Sequence, residues 1–171
     1  LITYQKSEII YDGTIYFTKR FFQKYDRTID QMVQAARSGK QNIVEASMAS
    51  GTSKEMEIKL TNVARASLEE LKIDYQDFLR TNKLPIWDKE HKLVARLREL
   101  NKIPNANYET FRKAIENESP EICANVMIGL IAVVSYLLSK QIKALEIAFM
   151  NEGGLKEKMT KARLNIRNKG Q

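Results

Sequence analysis

The residues best suited to catalysis or metal binding are few in this chain. Its 171 residues include one histidine, His91, and one cysteine, Cys123. Asp88 and His91 have the spacing of a carboxylate–histidine pair from a di-iron helical bundle, but that site needs two such pairs. We therefore expect His91 to be a solvated helix residue, and Cys123, in an apolar run, to be an unreactive core thiol. A single cysteine also excludes an internal disulfide and a multi-cysteine zinc site.

One short segment has part of the pattern of a phosphate-binding loop, Ser38-Gly39-Lys40-Gln41. The motif requires Ser or Thr where Gln41 stands, and its first Gly is replaced by Gln34. The segment also falls inside a predicted helix. Most carboxylates alternate with Lys and Arg, which is typical of solvated faces. The sequence therefore predicts a non-enzymatic protein without cofactor or metal.

Basic residues are the remaining class with an evident ligand. The chain has 28 Lys and Arg against 21 Asp and Glu, a net charge of +7, and such an excess attracts RNA, DNA or anionic membranes. The basic tail, residues 152–171, holds the best candidates for phosphate contacts: Lys156, Lys158, Lys161, Arg163, Arg167 and Lys169. The alternative for these residues is solubility together with favourable charge at a helix C-terminus.

A second group of candidate phosphate contacts, the first-helix cluster, consists of Lys19, Arg20, Lys24 and Arg27. Phe21, Phe22 and Tyr25 lie between these cations. The alternative is a solvated rim around an aromatic core, which the sequence favours slightly.

Composition indicates what must position these residues. With 43% hydrophobic residues, 29% charged residues, 7 Gly and 3 Pro, the chain is typical of a mostly helical globular domain. No signal-peptide pattern opens it, so we expect a cytoplasmic protein.

Hydrophobic periodicity predicts three helices in the first half of the chain. The first covers residues 3–25 and is apolar on more than one face, so it buries two faces. Capping boxes at Thr28/Gln31 and Thr52/Glu55 begin the second helix, which ends near residue 50, and the third, which ends near residue 81. Residues 84–118, with a cap at Asp88, form an inserted helical hairpin.

The last long helix begins at Ser119-Pro120 and is predicted to end near Asn151, before Gly153. Residues 122–138 are almost continuously apolar, which is the lower limit for a membrane span. A central bundle helix, buried by its own chain and by a neighbouring subunit, is the favoured interpretation, and a membrane partner is not expected. The sequence thus predicts an all-α bundle over residues 1–151, interrupted by 84–118 and followed by a short tail helix.

One run of residues in the second and third helices is distinctive. In the second helix it comprises Gln31-Met32-Val33-Gln34-Ala35-Ala36-Arg37-Ser38 and Gln41-Asn42-Ile43-Val44-Glu45-Ala46. It continues with Ser53-Lys54-Glu55, Leu60, Ala64, Ser67-Leu68-Glu69-Glu70-Leu71 and Asp74-Tyr75. This run resembles the bacterial four-helix-bundle family encoded by intervening sequences in large-subunit ribosomal RNA genes, whose pattern is Q-x-x-R-A-x-x-S-x-x-x-N-I-x-E-G. Gln34-Ala35-Ala36-Arg37 matches that pattern approximately. Ala46 stands where that family usually has Gly. Residues 145–149 and 152–159, with Ala162-Arg163, resemble the subgroup of that family with a C-terminal suffix domain.

The resemblance implies an up-down four-helix bundle and a ring-like homo-oligomer, commonly a homopentamer. A more distant relative is the accessory protein of diversity-generating retroelements, which binds nucleic acid beside a reverse transcriptase. By analogy the chain is expected to be a nucleic-acid-binding accessory factor. Among the family-motif residues, Arg37, Asn42 and Glu45 are interpreted as an interhelical polar network, with contact to RNA or a partner as the alternative.

Two other functions remain open from the sequence. The chain is alternatively a protein-interaction scaffold that docks a partner enzyme, such as a reverse transcriptase, through residues 84–118 and the basic tail. More remotely, the tail binds anionic membranes as a basic amphipathic helix. Trp87 and Tyr136 are expected to be packing residues and not platforms for stacked bases.

Overall fold

Six α-helices and no strand make up the computed structural model, which describes residues 1–170 with Gly154 excepted. The helices are α1 (Ile2–Phe21), α2 (Arg27–Ala49), α3 (Lys54–Thr81), α4 (Lys92–Asn101), α5 (Tyr108–Ile115) and α6 (Pro120–Lys169). The predicted all-α class is confirmed.

The four long helices contact one another in a closed order. α1 packs on α2, α2 on α3, α3 on α6, and α6 on α1. The hydroxyls of Ser38 and Ser67 are 2.9 Å apart between α2 and α3. The Arg65 guanidinium donates to the Ser139 hydroxyl at 3.2 Å, and Lys54 pairs with Glu152 at 3.6 Å, so α3 and α6 run antiparallel.

The core lies among these four helices and is aromatic at one end. Phe17 is fully buried, and its ring centroid is 4.9 Å from that of Tyr75 and 4.8 Å from that of Phe78. The hydroxyls of Thr14 and Tyr75 are 2.8 Å apart, which satisfies two buried polar groups at once. α1 ends at Phe21, four residues before the predicted end, because Phe22 is extended and its ring packs against Phe17.

Three helices begin at caps other than those predicted. Asp26, not Thr28, caps α2 by accepting from the Thr28 amide at 2.9 Å, and Ser53, not Thr52, caps α3. α4 begins after His91, not after Asp88, whose carboxylate accepts from the Glu90 amide in the preceding turn. In each case two polar residues lie close to the helix start, and the one that accepts from the free amides is not the one that the pattern indicated. The predicted start of α6, with Ser119 as cap and Pro120 first, is confirmed.

Residues 84–118 pack on α1 and α6. The Trp87 amide donates to Asn125 at 2.9 Å, and the Trp87 indole donates to Glu121 at 2.9 Å. Phe111 and Ile115 of α5 are buried with the main core. The segment therefore shares its apolar face with the long helices and has no separate core.

The prediction that the last helix ends near Asn151 is wrong. α6 continues to Lys169 and is capped at Gly170. A Cβ added at Gly153 would meet nothing within 4 Å, and a glycine in a helix costs only about 1 kcal/mol relative to alanine. Gly153 therefore weakens the helix without ending it.

α6 is also the one helix among the described residues that is long and apolar enough to cross a membrane, by length and composition alone. Of its most apolar 18-residue window, 56% is buried inside the structure. A core helix of a soluble bundle has the same properties.

Candidate nucleic-acid interface

The second half of α6 projects from the rest of the protein. From Met150 onward every described side chain is exposed, whereas most side chains between Cys123 and Leu138 are buried. At 1.5 Å per residue, the exposed stretch from Glu152 to Lys169 extends about 26 Å. The basic tail is thus a protruding helix reachable from all sides, and its final residue, Gln171, lies outside the described residues.

The six basic side chains of the tail are all exposed, and none forms an ion pair within residues 1–170. The tail has two acids, of which Glu152 is paired with Lys54, and only Glu157 lies among the cations. At 100° per residue, Lys156, Arg163 and Arg167 fall within about 40° of one another on the helix. These three side chains therefore form a positively charged ridge along one side of the helix.

The first-helix cluster lies at the opposite end of the long helices. Arg20 follows Phe17, which packs against Phe78 near the end of α3. Because α6 runs antiparallel to α3, α6 begins at this same end. From Cys123 to Lys156 along α6 is about 50 Å. The structure therefore does not bring the two predicted basic groups together within one chain.

Carboxylates share the end occupied by the first-helix cluster. Asp26, Asp74 and Asp77 line an open groove of about 560 Å³ whose apolar side is formed by Phe21 and Phe78. Burial, followed by the charges of Glu70 and Asp77, raises the pKa of Asp74. Two cations of the cluster lie over aromatic rings: Arg20 is 5.7 Å from the centroid of Phe21, and Lys24 is 5.7 Å from that of Tyr25.

Lys19 and Arg27, the other two members of the cluster, are exposed. The charge at this end is therefore mixed, whereas the tail is nearly uniform. The phosphate backbone of a nucleic acid is therefore repelled less along the tail than beside the first-helix cluster.

The family-motif residues are only partly brought together. Asn42 is half-buried and donates to the Ser38 carbonyl at 2.8 Å and to the Ser38 hydroxyl at 3.2 Å, and Ser38 in turn contacts Ser67. The side chains of Arg37 and Glu45 are exposed and make no hydrogen bond within the described chain. Of the predicted network, the structure thus connects Asn42 to α3 through Ser38, and Arg37 and Glu45 are not part of it.

His91 has a role that the sequence did not indicate. Instead of being a solvated helix residue, it is the half-buried N-cap of α4, and its Nδ1 accepts from the Leu93 amide at 3.2 Å. Its ring stacks on Trp87 with centroids 4.2 Å apart. The spacing of His91 and Trp87 carries no signal for this stack, which depends on the fold of the preceding turn.

Cys123 is buried, as predicted. Burial raises the pKa of its thiol to about 11, so the nucleophilic thiolate is scarce at neutral pH.

Trp87 packs as expected, but Tyr136 does not. The Tyr136 side chain is 61% exposed, with the Lys140 ammonium 5.3 Å from its ring centroid. Tyr136 is the one large aromatic side chain of α6 before Phe149 that the chain leaves uncovered.

Within residues 1–170, no three His, Cys, Asp or Glu side chains are grouped so as to hold a metal ion. Comparisons with protein-family models, with curated proteins and with solved structures gave no match. The resemblance to the ribosomal intervening-sequence family therefore stays a prediction.

Proposed function

We propose that this protein is a non-enzymatic accessory factor that binds RNA or DNA through the phosphates, with the basic tail as its main contact. The observation that carries this proposal is the projecting second half of α6, with six exposed cations and one acid, Glu157, that form no ion pair within residues 1–170. Lys and Arg in such an arrangement release counterions from a nucleic acid, which supplies most of the affinity in sequence-independent binding.

The composition of the tail favours contact with phosphates over reading of bases. Residues 152–170 include no aromatic side chain, and base stacking in single strands depends on aromatic platforms. Phosphate contacts fix position without carrying sequence information. We therefore expect similar affinity for unrelated sequences of the same length and strandedness.

The proposal includes a particular architecture and assembly. α1, α2, α3 and α6 form an up-down four-helix bundle, residues 84–118 are a helical-hairpin insertion, and the chain is a homo-oligomer, a pentamer by the family resemblance. The closed order of contacts among the long helices supports the bundle. Exposed apolar side chains on the outer faces of α3 and α6, including Val63, Ile73 and Tyr136, support a contact between copies. Several tails on one particle would bind a long nucleic acid with an avidity beyond that of one tail.

The test is fluorescence anisotropy with labelled structured RNA, single-stranded DNA and duplex DNA. The tail variant carries Lys156→Glu, Lys161→Glu, Arg163→Glu and Arg167→Glu. The matched control carries the same change of charge at the opposite end: Lys19→Glu, Arg20→Glu, Lys24→Glu and Arg27→Glu. We expect the tail variant to lose binding at low salt and the control to retain most of it.

Two outcomes would count against this proposal. Loss of binding in the control but not in the tail variant would move the contact to the first-helix cluster. No binding by the unaltered chain at about 50 mM salt, where phosphate contacts are strong, would reject nucleic-acid binding and favour the scaffold function. Sedimentation velocity of the unaltered chain tests the oligomer, and a monomer at all concentrations would contradict it.

A further inference from the structure

The projecting half of α6 carries an apolar line that phosphate binding does not use. Leu155, Met159, Ala162 and Ile166 follow one another at intervals of four, three and four residues. We refer to these four residues as the seam. Leu155 is 59% exposed, Met159 49% and Ile166 73%. No element of residues 1–170 covers them.

The spacing of the seam is that of a coiled coil. The alternation of three and four residues continues backward through Glu152 to Ala148 and Leu145, which are half-buried where α6 leaves the body. In this register Leu155 and Ala162 take d positions and Met159 and Ile166 take a positions, whereas Glu152 interrupts the apolar pattern at the preceding a position. The exposed apolar pattern thus covers just under two heptads. At Leu145, Ala148 and Glu152 this face of α6 is already in contact with the body, since Glu152 pairs with Lys54 of α3. A docked helix is therefore limited to the open part of the seam, from Leu155 to Ile166.

The width of the seam separates a coiled coil from a membrane-surface helix. At 100° per residue the four seam residues fall within about 60° of one another. Helices that bury one face in a core or in a lipid interface have an apolar stripe at least about 100° wide, whereas a seam of a and d positions is narrower. The geometry therefore favours one partner helix over a lipid surface.

The charges beside the seam select the partner. Lys156 and Arg163 flank it on one side at e positions, and Lys158 flanks it on the other at a g position. All three are exposed. Two copies of this segment would place these cations against each other, which is repulsive in both parallel and antiparallel pairs. Acidic residues at the facing positions would pair with them.

We propose that the seam docks an amphipathic helix of another protein, with apolar residues at its a and d positions and Glu or Asp beside them. This partner differs in chemistry from the nucleic acid proposed above. It requires Leu155, Met159 and Ile166, which phosphate binding does not require.

The experiment is isothermal titration calorimetry of the full chain with a synthetic peptide of about two heptads, with Leu at a and d and Glu at e and g. Two control peptides test the two halves of the argument. One has Lys in place of every Glu, and the other keeps the Glu residues but has Ser at a and d. We expect binding of the first peptide only.

The chain provides a matched pair of variants. Leu155 lies on the seam, and Leu164, which is 51% exposed, lies on the opposite side of the same helix at about 180° from Leu155. Leu155→Ser is expected to weaken peptide binding about tenfold or more, which is the effect of removing an interface anchor. Leu164→Ser is expected to change it less than about twofold. Both residues are exposed, so the body remains folded, which circular dichroism verifies.

Several results would overturn the proposal. Equal binding of the Ser peptide would show attraction to any polyanion, and equal effects of the two substitutions would show that the seam is not the contact. Self-association that Leu155→Ser abolishes would make a second copy the occupant, and Leu155-dependent sedimentation with phosphatidylserine vesicles would make a membrane the occupant. Absence of binding to all three peptides would also reject the proposal. RNA affinity measured on Leu155→Ser is expected to be unchanged, so the two proposals fail independently.

Discussion

The two halves of α6 share one continuous backbone and have opposite surroundings. Between Cys123 and Leu138 the helix is buried against α1, α3 and the 84–118 segment, whereas from Met150 onward its described side chains are exposed. The first half has no Lys or Arg before Lys140, and the second half has six after Met150. A single helix can therefore form the centre of a fold and an arm that extends from it, and the side chains determine where one becomes the other.

The largest expected difference between the halves is in stability. Ile131 is fully buried, and Ile166 is 73% exposed. Ile131→Ala is expected to lower the free energy of unfolding by about 2–5 kcal/mol, because it leaves a cavity in a packed core. Ile166→Ala, the matched control, is expected to change it by less than about 0.5 kcal/mol. Urea denaturation measures both, and equal effects would mean that the tail is part of the folded core.

Glycine substitutions are expected to act in opposite directions in the body and in the tail. A Cβ at Gly39 would lie 2.8 Å from Cγ of the fully buried Leu68, whereas one at Gly153 would meet nothing. Gly39→Ala is expected to destabilise, because overpacking costs about 1–3 kcal/mol and the gain in helix propensity is only about 1 kcal/mol.

Gly153→Ala is expected to increase the helix content of the tail and to leave the urea midpoint unchanged. Far-ultraviolet circular dichroism and urea denaturation are the measurements.

For Gly39→Ala, an increase in the midpoint of urea denaturation would show that α2 and α3 are not packed as closely as described.

A smaller contrast concerns pH. Burial raises the pKa of the Cys123 thiol from its ordinary value of 9.0 to about 11. Between these values the unfolded chain loses the proton and the folded chain keeps it, so stability falls as pH rises, by at most about 1.4 kcal/mol per pH unit. Cys123→Ala is expected to remove this part of the pH dependence.

A thiol in the tail provides the comparison for the burial of Cys123. In a Leu164→Cys variant that also carries Cys123→Ala, the single thiol is exposed and is expected to react with a thiol reagent at an ordinary rate at neutral pH. Native Cys123 is expected to react much more slowly. Equal rates would contradict the burial of the first half of α6.

Much of the fold could be predicted from the sequence, because hydrophobic periodicity and proline positions are local. The long helices and the start of α6 at Pro120 followed from such patterns. The exact caps did not, because Asp26, Thr28 and other polar residues near a helix start compete for the same amides. The end of α6 was predicted wrongly because a pair of glycines destabilises a helix without necessarily ending it. Only the course of the backbone shows whether the helix continues.

The candidate site was predictable in composition but not in arrangement. The cations of the basic tail are visible in the sequence, and so is the apolar line from Leu155 to Ile166. The first-helix cluster lies about 50 Å away along α6, at the end of the long helices that also holds Asp26, Asp74 and Asp77. This separation depends on chain topology. The stacking of His91 on Trp87 and the exposure of Tyr136 likewise depend on neighbours distant in sequence.

The salt dependence of binding to duplex DNA tests most directly whether the tail is the contact. With six phosphate contacts, a plot of log affinity against log salt is expected to have a slope of about −5. Neutralising Lys156, Lys161, Arg163 and Arg167 to Gln is expected to reduce it to about −2, and neutralising the first-helix cluster to Gln is expected to leave it near −5. An unchanged slope in the tail variant, or a reduced slope only in the first-helix variant, would contradict the assignment of the basic tail as the nucleic-acid interface.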